Sequence, residues 1–92
     1  DVVKVKIFPE EGVIRREMML LKVKANHETR AQIVQIAEIY RAKVLDVSPG
    51  SLTMELTGDV KKLRGFIDIL ESYGVLEIAK TGVLAMSRGE KM

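Results

Sequence analysis

The chain has 92 residues, with 15 Lys and Arg against 13 Asp and Glu, a net charge of +2, and 47% hydrophobic side chains. That suits one globular domain with a core of its own, and it excludes a disordered or strongly basic nucleic-acid-binding chain. The absence of cysteine excludes disulfides and thiolate chemistry, and no apolar run reaches the roughly 20 residues of a membrane-spanning helix, so a cytoplasmic setting is expected.

The chain opens at Asp1 without a methionine, which suggests a piece of a longer polypeptide. Val2 to Phe8 alternates Val3, Val5 and Ile7 with Lys4 and Lys6, the period of a half-buried strand, and Pro9 to Gly12 breaks it. Glu17 to Ala25 reads as a stronger strand, with Met19, Leu21, Val23 and Ala25 on one face. Ile33, Ile36, Ala37 and Tyr40 then follow the spacing of an amphipathic helix, and Thr29 with Gln32 suggests a capping box at its start. Lys43 to Gly58 reads as a hairpin turned by Pro49-Gly50, with Gly50 expected at positive φ and with Leu52, Met54 and Leu56 inward. Asp59 is a candidate N-cap for a second helix striped by Leu63, Phe66, Ile67 and Leu70, with Gly74 as its stop. Gly65 inside it costs about 1 kcal/mol relative to Ala, and either allows a close helix contact or carries no meaning. Val75 to Thr81 forms the last strand. From Glu17 the order is β-α-β-β-α-β, predicting an α+β, ferredoxin-like (ACT-like) sandwich with two helices on one face of a four-stranded antiparallel sheet.

Fold alone does not supply function; each candidate chemistry rests on its own residues. The outward positions Thr53, Glu55 and Thr57 give no aromatic platform for stacked bases, and three of the four aromatics, Tyr40, Phe66 and Tyr73, are read onto helices. His27 is the single histidine, and one neighbouring carboxylate does not make a metal site. No nucleophile and base are paired, so no catalytic, cofactor-binding or metal residues are expected. Gly58-Asp59 could open a phosphate-binding helix, but one glycine and an anion at the cap favour capping. If Met19, Leu21 and Val23 face the helices, Met18 and Leu20 face away, and a bare apolar patch on a sheet marks an interface. The closing TGVLAMSRGEKM hands four apolar residues, Val83 to Met86, to a polar Ser87-Arg88-Gly89 end. Gly82 to Met86 is expected to pack along the sheet or a neighbouring subunit, and Ser87 to Lys91 to project toward a partner.

The strand RREMMLLKVKA, the stretch AQIVQIAEIYRAKVLDVSPGSLTMELTGD and the tail TGVLAMSRGEK together resemble the C-terminal domain of the acetolactate synthase (acetohydroxyacid synthase) small, regulatory subunit. The resemblance runs over nearly the whole chain. It implies a non-catalytic partner of a thiamine-diphosphate-dependent catalytic subunit, which it activates in branched-chain amino-acid biosynthesis. It also implies valine feedback through an N-terminal ACT domain, with residues 1–16 as a strand or linker from that missing domain and 17–92 as the ferredoxin-like domain. The expected partners are the catalytic subunit and a second copy of the chain, with no cofactor, nucleic acid or membrane. Arg15, Arg16, Met18, Leu20, Ser87 and Arg88 are the candidate contact residues, the arginines as charge-assisted donors to a partner's carboxylates. A competing reading is a stand-alone ACT-like amino-acid sensor.

Overall fold

The computed structural model describes residues 12–90; the strand expected over Val2 to Phe8, and Lys91 at the end of the segment expected to project, lie outside them. The elements run β1 (Val13–Lys24), α1 (Arg30–Tyr40), β2 (Lys43–Ser48), β3 (Ser51–Gly58), α2 (Val60–Leu70), β4 (Val75–Lys80) and β5 (Leu84–Ser87). The main sheet has the order β2-β3-β1-β4, antiparallel throughout, with β5 added on β1. This is the expected ferredoxin-like arrangement with a fifth strand.

Strand alternation sets the two faces of the sheet. Met19, Leu21 and Val23 of β1 stand opposite Leu56, Met54 and Leu52 of β3, and all six are buried. Ile33 and Ala37 of α1 and Leu63, Phe66 and Leu70 of α2 close over them. The helices touch through Tyr40 and Phe66, whose ring centroids lie 5.1 Å apart. Gly65 makes that approach possible, because a Cβ there would come within 3.0 Å of the Tyr40 hydroxyl.

Asp59 caps α2 as its position suggests, its carboxylate accepting the Lys62 N–H at 2.8 Å. At α1 the capping box lies one turn earlier than Thr29 and Gln32 would place it. Asn26 Oδ1 accepts the Thr29 N–H at 2.8 Å, and Thr29 Oγ1 accepts the Asn26 N–H at 3.0 Å. Gln32 instead accepts a hydrogen bond from the Tyr73 hydroxyl, and Tyr73 sits in the turn beyond α2. Gly74, expected as the stop of α2, stands at φ +105° past the turn that follows the helix, its N–H donating to the Glu71 carbonyl at 3.1 Å. Helix α1 closes on Arg41 at φ 60°, ψ 37°, with the Arg41 and Ala42 N–H groups bonded to Glu38 and Ala37, a Schellman closure built without glycine. The expected positive φ at Gly50 is absent, since positive-φ glycines are 74, 82 and 89. The Gly50 carbonyl instead accepts the Ala25 N–H at 3.0 Å, which ties the hairpin turn to the end of β1.

Candidate functional site

The strand expected from Glu17 begins at Val13, four residues earlier. Its first part, Val13–Arg16, pairs not with β4 but with β5, through Val13↔Ser87, Ile14↔Met86, Arg15↔Ala85 and Arg16↔Leu84. Strands β4 and β5 are thus one antiparallel partner of β1, interrupted at Thr81 to Val83. The interruption is fixed at both sides. The Met18 N–H donates to Thr81 Oγ1 at 3.1 Å and the Thr81 N–H returns to the Met18 carbonyl at 3.0 Å. The Gly82 N–H donates to Glu17 Oε2 at 3.1 Å, which gives the buried Glu17 a partner and holds Gly82 at φ +88°. Past this latch the two strands form an arm of four paired residues, roughly 14 Å long. The segment Gly82 to Met86, expected to pack along the sheet or a neighbouring subunit, packs along the sheet, on β1. Ser87 is paired with Val13 rather than projecting, and the Arg88 N–H donates to the Gly12 carbonyl at 3.0 Å.

Pairing fixes which side chains share a face, because cross-strand partners point the same way. On the face away from the helices, Met18 and Leu20 are joined by Ile14 and, from β5, by Leu84 and Met86. They are exposed to 40%, 39%, 37%, 74% and 73% respectively. Along β1 from Ile14 to Leu20 this face runs roughly 20 Å and is apolar except at Arg16, which stands between Ile14 and Met18 opposite Leu84. Beside it Lys22 and Glu77 form an ion pair at 3.1 Å, exposed enough to contribute little stability. Thr53, Glu55 and Thr57 lie on the same face, as expected.

On the other side of the arm's root, where α2 begins, is a cleft of about 470 Å³. Arg15, Arg16, Lys61 and Arg88 line it together with Asp59, a balance of four cations and one carboxylate, or +3. The three candidate arginines, 73 residues apart at the extremes, thus meet in one place. Arg16 stands on the stripe face of β1, opposite Leu84, and its guanidinium turns back to donate to the Arg15 carbonyl at 2.7 Å, so it borders both the stripe and the cleft. Met18, Leu20 and Ser87 lie on the same strands but do not line this cleft. Lys61, Ile14, Leu84 and Met86 were not picked out from the sequence; the alternation of Leu84 and Met86 was the available signal, obscured by the unbroken apolar run around it. His27 is exposed in the turn before α1, and among the described residues no three His, Cys, Asp or Glu side chains gather as metal ligands.

Comparison with known proteins decides the family. Residues 16–89 match the family described as the small subunit of acetolactate synthase. The chain belongs to the acetolactate synthase small-subunit family. It is 41% identical over 92 residues to a probable acetolactate synthase small subunit of Methanothermobacter thermautotrophicus, covering 99% of this chain and 55% of that protein. It is 44% identical over 91 residues to the small subunit of Mycolicibacterium smegmatis, covering 99% and 54%. Its fold matches the crystal structure of the acetolactate synthase small subunit from Thermotoga maritima with a TM-score of 0.82 at 40% identity, over 89% of this chain and 50% of that one. The chain therefore spans about half the length of these small-subunit relatives. The family match takes in β1 from Arg16 onward, both helices and β5; Val13–Arg15 of the arm precede it.

Proposed function

We propose that this chain is a non-catalytic regulatory domain that binds the catalytic subunit of acetolactate synthase and raises its activity in branched-chain amino-acid biosynthesis, in the cytoplasm. The thiamine-diphosphate chemistry, joining the two-carbon unit of decarboxylated pyruvate to pyruvate or 2-oxobutyrate, takes place on the catalytic subunit. One observation carries the reading: a chain of the small-subunit family bears exposed apolar side chains, Ile14, Met18, Leu20, Leu84 and Met86, broken on β1 only by Arg16, on a sheet face that neither described helix covers. A stripe of that length on a small domain marks a surface that meets another protein. Within it the flat part around Met18, Leu20 and Ala79 suits a second copy of the chain, and the arm reaches the catalytic subunit.

Activation requires that the domain bind the active conformation of its partner more tightly than the inactive one, about 1.4 kcal/mol for each tenfold shift. The test is acetolactate formation by the catalytic subunit with and without this chain, each with and without valine. Stimulation that valine leaves unchanged is expected, with sensing assigned to the ACT domain that the resemblance implies. A catalytic subunit whose rate does not respond, and which does not co-elute with the chain, would refute the reading.

A further inference from the structure

The cleft at the root of the arm has a charge pattern that the apolar stripe does not explain. Arg16 and Arg88 reach it from the two strands of the arm and Lys61 from the first turn of α2, and all three are exposed residues. The single carboxylate among them, Asp59, is already engaged with the Lys62 N–H. A cation cluster of this kind costs self-repulsion and offers the isolated domain no internal ion pair among these three side chains. Among the described residues the cleft holds one carboxylate for four cations, so it suits a further anion, and the arginine forks suit carboxylates.

The cleft is continuous with the arm that carries Leu84 and Met86, so an occupant of one lies within reach of the other. We infer that the cleft of Arg16, Lys61 and Arg88 receives a carboxylate-bearing segment of a protein partner whose neighbouring apolar side chains cover the arm. This deepens the proposed function, on which it rests, by naming the partner surface: acidic side chains beside an apolar strip on the catalytic subunit. The two parts have different physical signatures. The apolar stripe sets how long the complex lasts, and the cleft sets how fast it forms and how strongly salt opposes it.

The experiment uses the full-length chain carrying this domain and the isolated catalytic subunit, with binding kinetics measured from about 50 mM to about 1 M salt, where screening shortens from more than 10 Å to about 3 Å. The variant is R16E/R88E; the control is K24E/K43E, which changes the net charge equally at the far end of β1 and on β2. The expected result is a loss of affinity of about tenfold or more for R16E/R88E at low salt, mostly as slower association, closing at high salt. The control should stay near wild type. Wild-type binding with R16E/R88E indistinguishable from it at every salt concentration overturns the inference and leaves the regulatory reading standing. No wild-type binding overturns both. A melting temperature raised by pyrophosphate, with partner association unchanged in R16E/R88E, would make the cleft a small-anion site and also overturn the inference. Circular dichroism of both variants confirms that the fold is retained.

Discussion

Replacing Asp59 separates two roles that the structure assigns to one carboxylate. Asp59 accepts the Lys62 N–H at 2.8 Å from an extended backbone at φ −81°, ψ 173°, the geometry of an N-cap. Loss of such a cap costs about 0.5–2 kcal/mol. Helix α2 turns Leu63 into the core within its first turn, so fraying exposes core, and the cost belongs in the upper part of that range. Asp59→Ala should therefore lower stability by about 1–1.5 kcal/mol, or about 5–10 °C in melting temperature for a domain of this size. Asp59→Asn keeps the acceptor and gives up only the favourable charge at the helix start, about 0.3–1 kcal/mol. Both variants make the cleft more positive by one charge. Asn should thus be slightly less stable than wild type yet bind an acidic partner faster at low salt. Thermal and urea unfolding followed by circular dichroism, beside the association rate, tests both halves. An Asn variant as unstable as the Ala variant would refute the capping argument, and one that associates more slowly than wild type would refute the reading of the cleft.

Arg41→Gly should raise stability by about 0.5–1 kcal/mol, because a side chain at φ 60° is strained and glycine is not; a lower urea midpoint would contradict this. Gly82→Ala meets no atom within 4 Å, so its cost of about 1–2 kcal/mol is backbone strain alone. It should appear as faster amide exchange over Leu84 to Ser87, with the protection of β3 unchanged. Phe66→Ala opens the core beneath both helices and should cost about 3–5 kcal/mol in urea unfolding, also removing the packing partner of Tyr40. Leu84→Glu with Met86→Glu should leave unfolding within about 0.5 kcal/mol of wild type, since both side chains are mostly in water, while weakening attachment to the catalytic subunit in a pull-down or biolayer assay.

The core was legible because its signals are local. Met19, Leu21 and Val23 declare a strand by their spacing, Leu63, Phe66 and Leu70 a helix, and Asp59 its cap, and each kept the face its period assigns. What was not legible depends on contacts across the chain. Arg41 ends α1 because Ala37 and Glu38 need donors and the chain must turn into β2; no residue there advertises a left-handed position. Gly50 lacks the positive φ that a Pro-Gly turn suggests, and its carbonyl accepts the N–H of Ala25, 25 residues earlier. The arm is the largest case. Val13–Arg16 before the expected strand and Leu84–Ser87 after it look like flanks, and only their pairing makes them one element. The candidate arginines could be named from their position beside apolar segments, but Lys61 could not, since its place in the cleft is set by where α2 begins.

The same topology explains why binding surface and core can change separately. Strand β1 serves both: from Met19 to Val23 its inward side chains lie under the helices, while Ile14, Met18 and Leu20 face outward. Just before Met19 stand Glu17 and Met18, whose bonds to Gly82 and Thr81 fix the arm's angle without drawing any helix residue into the contact. A substitution on the outward face of the arm therefore removes surface from a partner and almost nothing from the core, whereas a substitution at the latch leaves the core residues in place and redirects the arm. If the arm delivers the apolar contact and the cleft the charged one, both act from a single rigid root. Their effects on partner binding should then be more than additive when the latch is intact and close to additive once Glu17 or Thr81 is lost, which a double-mutant cycle resolves.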